Sequence, residues 1–394
     1  MEAQKIKENV YSYPYLDANR RLFDALIPLP DGTSYNSYLI TGADKSVLID
    51  TADPKMHEDF LSNLKNIPKL DYMIANHAEQ DHSGLIPKVL EQFPDAKLLC
   101  TEKGKGFLID LLAIPEARFQ PVGDGETLDL GGKTLKFIHT PWVHWPETMV
   151  TYLEEDKILF SCDFFGSHLA QSGLFAKDLD KVYEAAKRYY AEIMMPFRTQ
   201  IQKHMVKLQP YDINMIAPSH GPIYPDPGFI MDAYRDWIQD TPKNEVVLAY
   251  VSMHGSTKLM VDRLVNKLSE EGVTVHQFDL AVTDIGKLAI SLVDAATIVL
   301  GVPTVHGGPH PQVAYAAMLA NALRPKARHV ALIGSYGWGE KATIDKLVAA
   351  IPNLKVDVLG TVFHKGLPRE DTYERIDQLA ATIAGKHREN GYQN

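Results

Sequence analysis

A short segment of the sequence carries four side chains that can bind metal ions. These are His77, Glu79, Asp81 and His82. Imidazole nitrogens and carboxylate oxygens are both common metal ligands in proteins. An apolar run, residues 70–75, precedes the segment and is predicted to be a buried strand, while a helix is predicted to begin at Gly84. We therefore predict a metal site on a strand-to-helix loop.

Three further candidate ligands each follow a predicted strand. They are His144, Asp163 and His220. Strand ends that meet at one edge of a sheet can deliver such side chains to one point, and one short loop cannot surround two ions alone. The full set of four imidazoles and three carboxylates supplies many anionic oxygen ligands, which favour ions that cycle between +2 and +3. This composition favours iron, with zinc as the alternative.

A second group of residues has the chemistry of a phosphate site. The predicted strand 246–251 is followed by a hydroxyl-rich loop and then by a helix. Backbone N–H groups and hydroxyls at the positive end of a helix hold a monophosphate. The same loop read alone is also compatible with an ordinary helix cap formed by Ser256 or Thr257. The loop consists of Ser252, Met253, His254, Gly255, Ser256 and Thr257.

Two glycine-containing loops follow later predicted strands, at the carboxyl ends where open α/β sheets bind ligands. Glycines permit close approach of the backbone to a flat ring, and Tyr336 and Trp338 offer stacking surfaces. The three loops in this order resemble the flavodoxin pattern. No GxGxxG fingerprint is present, so FMN is favoured over FAD or NAD. The candidate residues are Pro303, Thr304, Val305, His306 and Gly307 in one loop and Ser335, Tyr336, Gly337, Trp338 and Gly339 in the other.

The length of 394 residues predicts two domains. A segment rich in Pro and Asp, residues 221–242, ends in Thr241–Asn244 and is the predicted boundary, because proline cannot continue a helix. The predicted domains are therefore residues 1–243 and 244–394. In the first domain, strands are predicted at 38–40, 47–51, 97–100, 134–138 and 158–161, and a helix at 183–197.

The second domain alternates regularly between apolar strands and amphipathic helices. This pattern predicts an α/β fold with a doubly wound parallel sheet. A first helix is predicted at 257–271 and a closing helix at 369–383. The predicted strands are 246–251, 273–278, 297–301, 329–333 and 355–359.

Composition narrows the possible partners. The net charge is −10 and no Lys/Arg-rich run occurs, so we expect no nucleic-acid and no acidic-membrane partner. Two cysteines, Cys100 and Cys162, are too few for a disulfide framework or a Cys-rich metal cluster. The first residues lack the apolar core of a signal peptide, and no apolar run is long enough to span a membrane. We expect a cytoplasmic protein.

The metal motif resembles that of a known family. The pattern His77-x-Glu79-x-Asp81-His82, followed by His144, Asp163 and His220, is similar to the metallo-β-lactamase-like order, and in particular to that of flavodiiron proteins. Hydrolytic relatives usually have histidine where Glu79 stands. The resemblance covers nearly the whole chain. It implies a metallo-β-lactamase-like αβ/βα sandwich that holds a diiron site, followed by a flavodoxin-like doubly wound parallel sheet that binds FMN.

The resemblance also implies roles for individual residues. His77, Glu79 and His144 would hold one iron, and Asp81, His82 and His220 the other, with Asp163 bridging. In some members the residue that matches His82 lies near the metal without binding it. His168 and Tyr190 are candidate catalytic residues that orient ligands or donate protons. For Trp145 and Phe165, packing in the core is the expected role.

The implied activity is that of an FMN-dependent non-haem diiron oxidoreductase. It would reduce O2 to water, NO to N2O, or both, because a reduced diiron pair and a reduced flavin together hold the four electrons that O2 requires. Electrons would come from an external donor, rubredoxin or reduced F420, and the family forms head-to-tail homodimers or dimers of dimers. The sequence does not choose between the substrates or between the donors.

Two other functions remain open at this point. One is a zinc hydrolase of the β-lactamase-like fold with a flavodoxin-like domain that binds no flavin, and Glu79 counts against it. The other is an electron carrier with vestigial metal ligands. The sequence also departs from many relatives, since residues 17–35 contain no histidine and since His254 and His306 stand where relatives often have other residues.

Overall fold

The computed structural model describes residues 3–393 and divides the chain into two compact units. The first unit runs up to Tyr190 and continues over Phe197–Ile238. The second contains Ala191–Pro196 and the chain from Gln239 onward. The domain boundary predicted between residues 243 and 244 stays a prediction.

The first unit contains strands and helices in alternation. Its strands are β1 Gln4–Lys7, β2 Val10–Asp17, β3 Leu22–Phe23, β4 Ile27–Pro28, β5 Thr33–Thr41, β6 Ser46–Ile49, β7 Tyr72–Ile74, β8 Lys97–Leu99, β9 Thr127–Asp129, β10 Thr134–His139, β11 Met149–Leu153, β12 Ile158–Cys162 and β13 Met215–Pro218. Its α-helices are α1 His57–Leu64, α2 Gln80–Ser83, α3 Ile86–Gln92, α4 Glu102–Leu112, α5 Leu179–Tyr189, α6 Arg198–Leu208 and α7 Pro227–Trp237.

Two sheets make the first unit a sandwich. Over residues 3–393, one sheet has the order β1-β2-β5-β6-β7-β8 and the other the order β13-β12-β11-β10-β9. Fully buried apolar side chains of both sheets share one core, which includes Tyr38, Ile49 and Ile74 from the first sheet and Phe137 and Phe160 from the second. Burial of such side chains supplies about 1.5–3 kcal/mol each. The predicted sandwich is confirmed.

Parallel pairing explains why distant residues meet at one edge of this sandwich. Strand β6 pairs parallel with β7, and β12 pairs parallel with β13. Parallel neighbours end at the same edge of their sheet, which brings the residues after β12 and β13 together, while the residue from the other sheet follows the parallel strand β7. These residues are Asp163 after β12, His220 after β13 and His77 after β7.

The sequence predicts that the whole metal-binding segment is a loop, but part of the segment is helical. Asp81 and His82 lie on the short helix α2. The Glu79 carbonyl accepts hydrogen bonds from the backbone N–H groups of His82 and Ser83 and so starts this turn. The turn directs the side chains of Asp81 and His82 inward, where both are buried.

Helices also occur where the sequence analysis did not place them. The segment predicted as the domain boundary, residues 221–242, contains α7, which buries Ile230, Tyr234 and Trp237. Pro227 begins this helix, since a first-turn proline lacks only an N–H group that would have no partner anyway. The helix predicted over 183–197 begins at Leu179, and after Tyr189 it becomes a π-helical segment, Tyr190–Met194, and a 3₁₀ turn, Met195–Phe197.

The second unit is a parallel sheet flanked by helices. Its strands are β14 Lys243–Tyr250, β15 Thr274–Asp279, β16 Ala295–Val305, β17 Gly308–Pro309, β18 His329–Tyr336 and β19 Asp357–Lys365. Its helices are α8 Ser256–Glu270, α9 Ile285–Leu292, α10 Pro311–Leu323, α11 Glu340–Ala349 and α12 Glu370–Glu389. The sheet order β15-β14-β16-β18-β19 is the flavodoxin-like doubly wound order, as predicted. Over residues 3–393, no helix combines the length and apolar character needed to cross a membrane.

The last strand differs from its prediction at 355–359. It begins at Asp357 and extends to Lys365, because β18 pairs with it along its whole length. Most of β19 is exposed or only partly buried. Pairing with β18 therefore extends this strand, although its residues do not form an apolar pattern.

A buried histidine on α12 gives this unit an expected sensitivity to acid. The His387 ring is bonded to the Thr297 hydroxyl at 2.7 Å and donates to the Asn244 side-chain oxygen at 2.8 Å. Burial, and then the charge of His329, lower the pKa of His387 to about 4. The folded state thus favours the neutral ring, so the stability that His387 contributes is complete above its unfolded pKa of about 6.5.

We expect this contribution to be lost as the pH falls from about 6.5 to about 4, by on the order of 2 kcal/mol after allowance for solvent screening. Urea unfolding at several pH values, followed by circular dichroism, measures the effect against His387→Asn, which lacks the titrating ring. The exposed His57 offers a matched control, His57→Asn, with an unchanged pH profile. Identical acid sensitivity of the wild type and His387→Asn would contradict the prediction.

Candidate metal centre and flavin site

The structure brings all seven predicted metal ligands together in the first unit. Their ligand atoms form three overlapping groups, and within each group the atoms lie within 4.8 Å of one another. The groups are His77, Glu79, His144 and Asp163; His77, Asp81 and His82; and His82, Asp163 and His220.

Asp163 lies between two halves of this cluster. Its Oδ2 atom is 3.3 Å from His77 Nε2 and 3.1 Å from His144 Nε2. Its Oδ1 atom is 3.1 Å from His82 Nε2 and 3.8 Å from His220 Nε2. One carboxylate oxygen therefore faces each pair of imidazoles, which is the geometry of a bridging ligand.

Each half has a second carboxylate of its own. Glu79 Oε2 lies 3.4 Å from His77 Nε2 and 3.0 Å from His144 Nε2. On the other side, Asp81 Oδ2 lies 3.2 Å from His82 Nε2 and 3.1 Å from His220 Nε2. The two sets match the division into two ion sites that the family resemblance implies.

The hydrogen bonding of the cluster tests whether cations fit it. His220 Nδ1 donates to the Ser34 carbonyl at 2.8 Å, so in the neutral ring Nε2 carries a lone pair. That Nε2 atom faces His82 Nε2 at 2.9 Å. Both Asp81 carboxylate oxygens are buried without a hydrogen-bond donor in residues 3–393. Buried lone pairs that converge in this way are costly unless cations lie between them, so the residues fit a pair of metal ions.

The carboxylates also make the cluster strongly attractive to positive charge. Burial lowers the pKa of His82, but the Asp81 and Asp163 carboxylates outweigh this effect and raise that pKa to about 9. At His144, burial also lowers the pKa, but Asp163 and Glu79 outweigh this effect and raise the pKa to about 9. The same carboxylates attract positive charge to both halves of the cluster.

Asp50, which follows β6, supports the ligand-bearing segments. Its two carboxylate oxygens accept from the backbone N–H of Asn76 at 2.9 Å, from the Asn76 side chain at 3.1 Å and from the Ser219 hydroxyl at 3.0 Å. Asn76 precedes His77 and Ser219 precedes His220, so one buried carboxylate aligns both segments. Sequence reasoning missed it, although an acid directly after the apolar run Val47–Ile49 was a signal.

A thiol orients another ligand. Cys162 Sγ lies 3.1 Å from His77 Nδ1, on the side of the ring away from the metal cluster. Burial raises the pKa of this thiol far above its usual range, so it is uncharged. From the sequence, Cys162 was weighed only as a partner in disulfides or metal clusters, although its position next to Asp163 was a signal.

The two predicted catalytic residues differ in their positions. The ring centre of His168 lies 4.9 Å from that of His220, and its Nδ1 atom lies 2.9 Å from the Thr33 hydroxyl. The structure does not bring Tyr190 to the cluster, because its ring packs on Tyr234 and Trp237. The preceding tyrosine, Tyr189, packs against His168 and His220 instead.

The two aromatic residues expected to pack in the core do so differently. The ring of Phe165 stacks on Phe164, with 3.9 Å between the ring centres, and meets Tyr234 edge-on. Trp145 lies closer to the metal cluster, with its ring 6.2 Å from that of His77. It therefore forms part of the wall around the ligands.

The three predicted flavin loops of the second unit meet around one depression with a volume of about 180 Å³. A fourth segment, at Gly366 after β19, completes the lining and was missed by sequence reasoning. Predicted residues outside the lining are Gly255, Val305, His306, Gly307, Trp338 and Gly339. The residues that line the depression are Ser252, Met253, His254, Ser256, Thr257, Pro303, Thr304, Ser335, Tyr336, Gly337 and Gly366.

The predicted phosphate loop leads into the N-terminus of α8. Gly255 precedes the helix with a φ of 90°, a conformation that favours glycine. Because glycine has no side chain, the first N–H groups of the helix receive no cap from this residue. The Ser252 hydroxyl accepts from the Lys258 N–H at 3.1 Å, and the hydroxyls of Thr257 and Ser335 lie 2.9 Å apart. Hydroxyls from two loops thus converge at a positive helix end, which suits a phosphate.

The two units together define a class of protein, in which a β-lactamase-like metal domain is joined to a flavodoxin-like domain. The family model described as "ODP family beta lactamase" matches residues 33–221. The chain is 35% identical to a nitric oxide reductase of Moorella thermoacetica, over 97% of this chain and 98% of that protein. It is 34% identical to the coenzyme F420H2 oxidase of Methanothermobacter marburgensis, over 88% and 90% of the two chains.

Solved structures agree with these relatives. The rubredoxin oxygen:oxidoreductase of Desulfovibrio gigas superposes with a TM-score of 0.94 at 28% identity and covers 98% of this chain and 99% of its own. The flavodiiron protein of Giardia intestinalis superposes with a TM-score of 0.90 at 28% identity, over 99% and 98%. The chain belongs to the flavodiiron protein family. The predicted family, fold class, oxidoreductase activity and pairing of FMN with a non-haem diiron centre are confirmed.

Proposed function

We propose that this protein reduces O2 to water, NO to N2O, or both, at a diiron centre supplied with electrons by FMN. The observation that carries the proposal is the position of Asp163, with one carboxylate oxygen facing each half of the cluster. When bound, the iron pair would supply electrons to the substrate. The three carboxylates would offset the additional charge of the oxidised pair.

The protein side chains around the cluster hold its ligand residues in place. His77, Glu79 and His144 would hold one iron and Asp81, His82 and His220 the other, with Asp163 between them. Asp50 and Cys162 orient ligand residues through the contacts described above. Burial and then His220 keep the pKa of His168 well below its usual range, so this ring is neutral and serves as a hydrogen-bonding group beside the cluster. A catalytic role for Tyr190 stays a sequence-based prediction, since its ring packs on Tyr234 and Trp237.

In the second unit, Ser252, Ser256 and Thr257 would bind the FMN phosphate, and the loops around Thr304 and Tyr336 would enclose its ring. Trp338 is 71% exposed beside these loops and offers a stacking surface. We assign the metal domain to residues 1–243 and the FMN domain to residues 244–394.

The electron donor and the assembly belong to the same proposal. The names of two relatives specify rubredoxin and reduced F420 as electron donors of those proteins, and either would serve here. We propose a head-to-tail homodimer or dimer of dimers, in agreement with the family resemblance. A cytoplasmic location is also proposed, and the two free buried cysteines support a reducing compartment.

Purification and anaerobic reduction test the function directly. The protein is expected to be yellow, with two iron atoms and stoichiometric FMN per chain, as the family name implies. Rapid mixing of the reduced protein with O2 and, separately, with NO should reoxidise the flavin and yield water or N2O. Removal of FMN should abolish turnover with the donor. A colourless protein loaded with zinc would refute the proposal and favour the hydrolase alternative.

A further inference from the structure

The connection between β2 and β5 covers one half of the metal cluster. It includes the hairpin β3–β4, and the Phe23 ring on this hairpin lies 4.8 Å from the ring of His168 and 5.9 Å from that of His220. Residues 17–35 contain no histidine, and the charged groups that this connection brings near the cluster include Arg20 and Asp24.

Arg20 is held in a nearly closed environment. Its Nη1 atom donates to the Tyr35 hydroxyl and, at 2.7 Å, to Asp53 Oδ2. Its Nε atom donates to the Leu22 carbonyl at 3.2 Å, and the guanidinium carbon lies 4.8 Å from the centre of the Phe23 ring. Only 13% of the side chain is exposed.

The residues that hold Arg20 also contact the metal cluster. The Tyr35 ring lies 5.4 Å from the His220 ring and 6.1 Å from the His82 ring. Burial lowers the pKa of Arg20, but Tyr35, Asp53 and Asp81 outweigh this and raise it, so the group is always charged. Its charge in turn helps to lower the pKa of His168.

We propose that Arg20 is a positioning residue that places a fixed positive charge beside the Asp81–His82–His220 half of the cluster and thereby disfavours additional positive charge there. Asp53 holds the guanidinium in this place, and Asp81 is the acid of the cluster that interacts electrostatically with it. With iron bound, which rests on the proposed function, the same charge favours the reduced, less positive pair.

Three variants test the proposal. Arg20→Gln removes the charge, Arg20→Lys keeps it, and Arg21→Gln removes the same charge from the exposed neighbouring residue. In metal-free protein, Co²⁺ titration should show several-fold tighter binding to Arg20→Gln than to the wild type. Arg20→Lys should behave like the wild type, and so should Arg21→Gln, because water and salt screen exposed charges.

A redox titration of the iron-loaded proteins, followed by electron paramagnetic resonance, provides the second readout. At a fixed potential, Arg20→Gln should shift the ratio of reduced to oxidised centre by up to about tenfold toward the oxidised form, which is about 59 mV for one electron. Circular dichroism and iron content should stay at the wild-type values.

The possible outcomes separate this proposal from the proposed function. Equal Co²⁺ affinity in Arg20→Gln and Arg21→Gln would overturn the role of Arg20. Weakened metal binding in both Arg20→Gln and Arg20→Lys would also overturn it, because it would mean that Arg20 supports the site by packing and not by its charge. Tighter Co²⁺ binding in Arg20→Gln, in a protein whose wild type reacts with neither O2 nor NO, would support the placement of charge and refute the proposed function.

Discussion

Replacement of Asp163 by alanine is expected to reduce the iron content from two atoms per chain to less than one and to lower turnover at least about 100-fold. Asp163 contacts imidazoles of both halves, so its loss removes a ligand from both ions and leaves four neighbouring imidazoles without the carboxylate between them. Only the carboxylates of Glu79 and Asp81 then remain in the cluster to offset the charge of the metal ions. Elemental analysis and stopped-flow reoxidation measure the two effects.

The exposed Asp95 offers a matched control in the same unit, because Asp95→Ala removes an equivalent side chain far from any contact described above. This variant should keep its iron and its activity. Asp163→Ala protein with two iron atoms and wild-type turnover would rule out a bridging role. Circular dichroism of both variants distinguishes loss of metal from loss of the fold.

Replacement of Glu79 by histidine is expected to lower iron occupancy and O2 or NO turnover, each by a factor on the order of ten, and to raise the zinc content. Glu79 lies close to both His77 and His144, so the change substitutes a neutral ligand for an anionic one in that half. The oxidised iron pair then has one negative charge fewer to offset it. Metal analysis after growth with iron and zinc together provides the measurement.

Glu58 is an exposed glutamate on α1, and Glu58→His provides the same chemical change without contact with the cluster. Its metal content and turnover should match the wild type. If Glu79→His retains full iron and full activity, then the distinction between redox and hydrolytic members of this fold does not lie at this residue.

Much of the metal site could be predicted because its ligands are chemically conspicuous. Four of them fall within six residues, and the others lie in the segments that follow apolar strands. Parallel strands end at a common edge, so a ligand that follows a strand is positioned by the strand itself. The flavin loops were predictable for the same reason, and the exception, Gly366, follows the strand whose extent was wrong.

The supporting residues could not be predicted, because their roles depend on pairs of residues far apart in the chain. Asp50 aligns Asn76 and Ser219, which are 143 residues apart, and nothing local marks such a partnership. The choice between Tyr189 and Tyr190 depends on helix rotation, since consecutive helical residues point about 100° apart. The helix also changes to π-helical geometry directly after Tyr189.

The sequence by itself determined the ligand types, the α/β class and the pairing of metal chemistry with flavin chemistry, since these follow from residue identity, spacing and apolar periodicity. Only the tertiary structure decided how charge is distributed around the ligands. It set the distances from Asp163 to the imidazoles of both halves and brought Arg20 close to one of them. It also placed the Cys162 thiol next to His77, on the side of the ring away from the cluster. Electrostatic energy depends on distance and burial, and neither quantity exists until the two sheets pack and the strand ends meet.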